Sequence, residues 1–103
     1  MTSAPGFHPA AADEAEAAVG WYEERREGLG DEFRAALDET VELIAKGVLR
    51  GPKVRRRGVI APVRRVVLSR FPYDVIYLEG IEGATIIAVA HHSRRPGFWK
   101  SRI

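Results

Sequence analysis

Two adjacent histidines, His91 and His92, close an apolar run late in this 103-residue chain, and two adjacent arginines, Arg94 and Arg95, follow at once. Imidazole is the side chain suited to carry a proton near neutral pH, and the arginine fork grips phosphate or carboxylate through two parallel hydrogen bonds. The stretch therefore holds parts for proton transfer or for anion binding. In a strand, however, neighbouring side chains point to opposite faces, so His91 and His92 cannot share one metal ion without a kink, and no metal site is expected. Their plain reading is that one caps the sheet edge by a hydrogen bond while the other faces solvent. After Pro96-Gly97 come Phe98 and Trp99, which with the arginines are residue types enriched at interface hot spots. We read Arg94 and Arg95 as contacts to a partner or target, with Phe98 and Trp99 as candidates beside them, and we expect Trp99 to fold back and close the core. A second cluster, Arg55-Arg56-Arg57, lies in a segment bounded by Gly51-Pro52 and Gly58. Phosphate or the acidic tail of a partner protein suits it, although no aromatic residue interleaves it to stack on bases, and its plain reading is a solvated loop.

The elements that must position these residues fall into two halves. Pro9 suits the start of a helix with Asp13 and Glu14 in its opening turns, and Ala11, Ala15, Ala18, Val19 and Tyr22 recur at helical spacing. Trp21 lies about 100° round the helix from Tyr22, which leaves it partly exposed. Gly28-Leu29-Gly30 breaks this helix, and Asp31 is placed to cap a second one whose apolar stripe is Phe33, Leu37, Val41 and Ile44, ended by Gly47. So short a connector makes the pair an antiparallel hairpin over about residues 10–47. Three β-type runs follow, Val63 to Leu68, Tyr73 to Leu78 and Thr85 to Ala90, joined by turn-length segments and so expected to pair antiparallel. Phe71, Tyr73 and Tyr77 read as core packing, and a short strand is expected to end near Phe7. In the last run Ile86, Ala88 and Ala90 alternate with Ile87 and Val89, the pattern of a central strand covered on both faces; the hairpin supplies one cover and a partner is a candidate for the other. The fold class is α+β, with the hairpin on one face of a mainly antiparallel sheet of about four strands, in one domain spanning 1–103, with the sheet at about 60–92 and a tail at 93–103.

Composition bounds the rest. With no cysteine there is no disulfide, thiolate zinc site or cysteine nucleophile. No apolar run approaches the roughly 20 residues of a membrane span, and the first residues lack the pattern of a secretory signal, so a soluble, cytoplasmic protein without cofactor is expected. The net charge of +2 conceals a division. Residues 1–45 carry eleven acids against three bases and residues 46–103 thirteen bases against three acids, or −8 and +10. Such asymmetry fits either a basic face that meets nucleic acid or an acidic partner, or neutralisation of one half by the other.

Taken together, Val63-Arg64-Arg65-Val66, Arg70-Phe71-Pro72-Tyr73, Ile87 to His92, Arg94-Arg95-Pro96 and Phe98-Trp99 resemble the pattern of RelE/ParE-superfamily toxins, and Ala15 to Phe33, with Trp21-Tyr22-Glu23 and Gly28-Leu29-Gly30, resembles the helical hairpin that opens them. The resemblance spans nearly the whole chain. It implies a type II toxin–antitoxin system and a hetero-oligomer with a neutralising antitoxin, for which Trp21, Leu37 and Val41 are the implied contact positions. ParE-like members poison DNA gyrase by binding, without chemistry; RelE-like members cut mRNA on the ribosome. For metal-independent cleavage of the second kind Arg65 matches a phosphate-binding arginine and His91 a histidine closing the last strand, with Arg95 as a further cation. Against it, His92 stands where nucleases of the YoeB kind have a tyrosine, and no carboxylate lies between Glu42 and Asp74. The ParE-like reading is the expectation, with ribosome-dependent endoribonuclease as the alternative.

Overall fold

The computed structural model describes residues 6–103; the residues before Gly6 lie outside the described part. The order is β1 (Gly6–Phe7), α1 (Pro9–Arg25), α2 (Leu29–Ala45), β2 (Val63–Val67), β3 (Tyr73–Gly80), β4 (Gly83–His91) and a C-terminal 3-10 helix (Phe98–Arg102). The sheet runs β1-β4-β3-β2, with β1 parallel to β4 and the other pairings antiparallel. This is the expected α+β architecture.

Both helices end as glycine and proline dictate, but their caps differ from the expectation. Pro9 is the first helical residue of α1, and the cap is His8, whose Nδ1 accepts from the Ala10 amide at 3.1 Å. The first turn holds no acid, since Asp13 and Glu14 fall one turn further in. The cap of α2 is Gly28, left-handed at φ 87°, with Asp31 inside the first turn rather than ahead of it. The orphan amides there are satisfied from the other helix: Glu23 accepts from Gly28 and Gly30, each at 3.0 Å. A Cβ at Gly30 would lie 2.7 Å from the Val19 carbonyl oxygen, so glycine is what lets the two helices meet. At the far end, left-handed Gly47 lets the Val48 amide reach back to the Leu43 carbonyl at 3.0 Å.

One core lies between hairpin and sheet. The stripe Phe33, Leu37, Val41 and Ile44 is buried there with Ala11, Ala15, Ala18 and Tyr22, and Tyr22, Phe33, Phe71 and Tyr73 form an aromatic cluster with Tyr22 and Phe33 stacked at 5.3 Å. A second core covers the opposite face, where Val63, Ile76, Ile87 and Ala88 pack under Trp99, flanked by Val54, Val59 and Ala61. The cover sought from a partner is thus supplied by the chain's own tail and by the loop before β2. Strict alternation in β4 fails at one point. The register slips between Ile76 and Tyr77, leaving Ile87 as an extra residue. Ile86 and Val89 consequently face the hairpin, while Ile87 and Ala88 face the tail.

The edge beyond β2 is held by a buried polar knot. Gly51 donates its amide to the Tyr77 hydroxyl at 3.1 Å, and its carbonyl accepts from Arg64 at 2.7 Å. Arg64 also reaches Glu79, which Arg50 grips with two bonds of 2.9 and 3.0 Å. Arg50 chiefly, and Arg64 with it, hold the Glu79 carboxyl down to about 2 against the opposing effect of partial burial. An unfolded chain titrates this group near the ordinary carboxylate value, so its stabilisation is complete above about pH 4.5 and disappears as pH falls toward 2. Denaturant melts should show Glu79→Gln less stable than the parent at neutral pH, with the difference shrinking between about pH 4.5 and pH 2. A difference that stays constant with pH would dismiss the ion-pair account.

Candidate functional site

On the tail side of the sheet, a cleft of about 370 Å³ opens between the 52–56 loop and the 94–99 segment, with Arg65, Asp74 and Ile76 across its floor. Each wall has a local cause. The loop is drawn onto β2 by a bridge between Lys53 and Arg64 and by bonds from Val54 to the Val63 carbonyl and from Arg65 to the Pro52 carbonyl. The tail turns at left-handed Gly97 and is anchored by Trp99 in the second core, 2% exposed. Lys100 ties the two walls together by donating to the Arg57 carbonyl at 3.0 Å.

The tail is also latched to α1. Glu14 accepts from Arg102 through both carboxylate oxygens at 2.9 Å, from Arg94 at 3.4 Å and from the Val89 amide at 3.0 Å, and Arg102 reaches the Ile87 carbonyl. β1 is only two residues long, so these side chains satisfy the edge of β4 that it leaves open.

The electrostatics follow from who is paired. Acids of the hairpin neutralise distant bases, Glu32 with Arg70 and Glu14 with Arg94 and Arg102, while Glu79 holds Arg50 and Arg64. The two halves do neutralise one another, but incompletely. Lys53, Arg55, Arg56 and Arg95 line the cleft with no carboxylate within 4.0 Å among the described residues. Arg65 and Arg94 join them, the former only loosely matched to Asp74 at 3.8 Å. Neutralisation of one half by the other thus holds for the paired residues, and a surplus of cations is left along the cleft.

The structure sorts the anticipated residues. Arg65, His91, Arg94 and Arg95 all line the cleft, Arg65 on its floor and the other three 26 to 30 positions later in sequence. Phe98 is partly buried beneath the Arg94 guanidinium at 3.9 Å. Trp99 is core and offers no surface to a partner. Leu37 and Val41 likewise lie in the first core rather than on an antitoxin surface, because the apolar stripe of α2 is consumed by the sheet. Trp21 is 49% exposed, as its offset from Tyr22 requires, with Arg25 stacked on it at 3.6 Å. The histidines diverge. His91 packs edge-on to Tyr73 at 5.3 Å and bonds Ser93, whereas His92 turns to Asp74 at 3.1 Å. Sequence reasoning missed Asp74 as a cleft residue. Its signal was its place one residue into β3, which puts it opposite Ala90 and beside the strand end that carries His92. Among the described residues no three of His, Asp and Glu converge as a metal site.

Comparison with known proteins bears on the fold and the family. No curated protein sequence matches the chain. Among solved structures, a chain of the chromosomal ParDE TA system from P. aeruginosa shares the fold, with a TM-score of 0.63 and 18% identity over 87% of this chain and 96% of that one. The family model for the ParE toxin of the type II toxin–antitoxin system parDE matches residues 6–96, from β1 through the cleft arginines, and the chain therefore belongs to the ParE toxin family.

Proposed function

We propose that this ParE-family chain is a toxin that inhibits DNA gyrase by binding, performs no chemistry itself and is held inactive by a cognate antitoxin. Family membership supplies the toxin–antitoxin setting. The observation that carries the mode of action is the polarised surface: cations left over after internal pairing gather on one side, on walls pinned by Trp99 and Lys100, as suits a rigid contact surface. For the antitoxin, the fitting surface is the groove of about 550 Å³ between α1 and the β3–β4 end, lined by Ala17, Trp21, Tyr73 and His91. A helix laid there would cover the exposed Trp21 ring.

One observation favours a second reading. His91, the histidine of the nuclease alternative, lines the cleft with Arg65 and Arg95, and His92, bonded to Asp74, lies beside it, so imidazole and guanidinium groups meet there as a ribosome-dependent endoribonuclease would need. The test is controlled expression in a bacterium, alone and with the neighbouring gene, reading DNA-damage signalling and bulk translation separately. The gyrase reading expects growth arrest with damage signalling while translation at first continues, rescue by the neighbouring gene, and undiminished toxicity of His91→Gln and of His92→Gln. Early collapse of translation with mRNA cleavage that His91→Gln or His92→Gln abolishes would overturn it in favour of the nuclease.

A further inference from the structure

We infer that the cleft between the 52–56 loop and the tail is a binding site for the phosphodiester backbone of nucleic acid, gripped without regard to base sequence. Six cations, Lys53, Arg55, Arg56, Arg65, Arg94 and Arg95, border a cleft whose one carboxylate is Asp74. Elsewhere on the molecule the bases are mostly matched to acids, so the surplus is local and not a general basicity. The members with no carboxylate partner among the described residues, Lys53, Arg55, Arg56 and Arg95, come from both walls, with Arg65 at 3.8 Å from Asp74 and Arg94 at 3.4 Å from Glu14 beside them, an arrangement that follows a chain of regularly repeated charges lying in a groove.

Two features choose a polyanionic backbone over a protein segment. None of the large exposed apolar side chains, Trp21, Val48, Ile60, Val67, Ile81 and Ile103, lines the cleft, while Ile76 and Trp99 in its floor are buried. A protein segment laid inside the cleft would find no apolar anchor there, whereas the cations on its walls can still meet a protein surface. The accessible aromatic ring, Phe98, already has Arg94 at 3.9 Å on it and Arg102 at 5.0 Å, so no free face remains for stacking a base. Contacts of this kind position a backbone and do not read its bases. The inference concerns the isolated chain and stands whether or not gyrase is its target; if gyrase is, the cleft would hold the DNA that gyrase carries.

The test is fluorescence anisotropy of the purified chain with labelled 12-nucleotide single-stranded DNA, the same length of RNA, a DNA duplex and, as the competing occupant, a 12-residue poly-glutamate peptide. The expected result is binding to oligonucleotides of any base composition, with log K falling against log salt at a slope of about −2 to −3 on single strands, as three or four neutralised phosphates would give. Arg55→Ala/Arg95→Ala, two exposed side chains bonded to nothing, should weaken binding at least about tenfold at low salt and flatten that slope by about 1.4. Arg26→Ala/Arg34→Ala, which removes equal charge from the hairpin, should stay within about twofold of the parent. If the cleft double variant fails to fold, Arg56→Ala alone carries the comparison, with a slope change of about 0.7. Comparison of the DNA and RNA arms tells which nucleic acid is held more tightly. The inference is overturned by absence of binding, by an equal loss in the hairpin double variant, or by poly-glutamate binding as tightly as the oligonucleotides.

Discussion

Gly51→Ala should lower stability by about 3 kcal/mol or more, the largest loss among the glycines. Gly51 has no unusual backbone angle to betray it. Its requirement is space: a Cβ would stand 1.9 Å from the Arg65 carbonyl oxygen and 2.9 Å from a methyl of Val66. The obstacle is the backbone of β2, held in the sheet by its pairing to β3, and it cannot give way as the end of a flexible side chain can. If the segment moves instead, the amide loses the Tyr77 hydroxyl and the carbonyl loses Arg64, both buried bonds whose unpaired remnants cost about 1–3 kcal/mol each. At about 4–8 °C per kcal/mol for a domain near this size, the melting midpoint should fall by more than about 12 °C. Gly20→Ala is the companion measurement. Gly20 lies within α1, where an added Cβ would meet no atom outside the helix's own backbone within 4 Å, so alanine there should raise stability by up to about 1 kcal/mol. A Gly51 variant that melts within a few degrees of the parent would mean that the loop is not seated on β2, and the cleft wall that carries Lys53 and Arg55 would lose its foundation.

Trp99→Ala is expected to cost about 3–5 kcal/mol, the range for removing a large aromatic side chain from a core. The ring is the largest fully buried side chain and the lid of the second core. Its loss would leave Ile76, Ile87 and Ala88 uncovered and remove the anchor that sets the direction of Arg94 and Arg95. Only polar contacts, Glu14 with Arg102 and Arg94 and Lys100 with the Arg57 carbonyl, would then hold the tail. Trp99→Phe keeps much of the apolar surface and should recover most of the loss. Urea melts measure the stability change, and tryptic cleavage after Arg94 or Lys100 reports the tail, which should be cut far sooner in the alanine variant. A stability loss under about 1 kcal/mol with unchanged cleavage would show that the tail does not close the sheet.

What the sequence determined by itself is what short-range physics governs. Apolar spacing in Phe33, Leu37, Val41 and Ile44, breakers at Gly28 and Gly47, and β-branched runs between turn residues settled two helices and three strands to within a few residues of their bounds. The offset of Trp21 from Tyr22 followed from helical geometry alone, whereas His91 and His92, expected on opposed faces of a strand, both line the cleft because β4 ends at His91. Membership of the toxin family was legible too, through residues spread over the whole chain. The tertiary structure decided whatever depends on distance in space between residues far apart in sequence. Asp31 looked like a cap, yet Glu23 on the other helix does that work, because the tight connector aims it at the orphan amides. Alternation in β4 assigned Ala88 to the wrong companion, because a slip of one residue is invisible in a pattern that is apolar throughout. Leu37 and Val41 could serve only one surface, and the sheet took it. Which arginines remain free for a ligand was settled by ion pairs closing loops of up to 88 residues, Arg102 to Glu14 being the longest. Charge is written in the sequence, but its cancellation is a matter of a few ångströms, since an ion pair and its hydrogen bonds exist only where folding brings the two groups into contact.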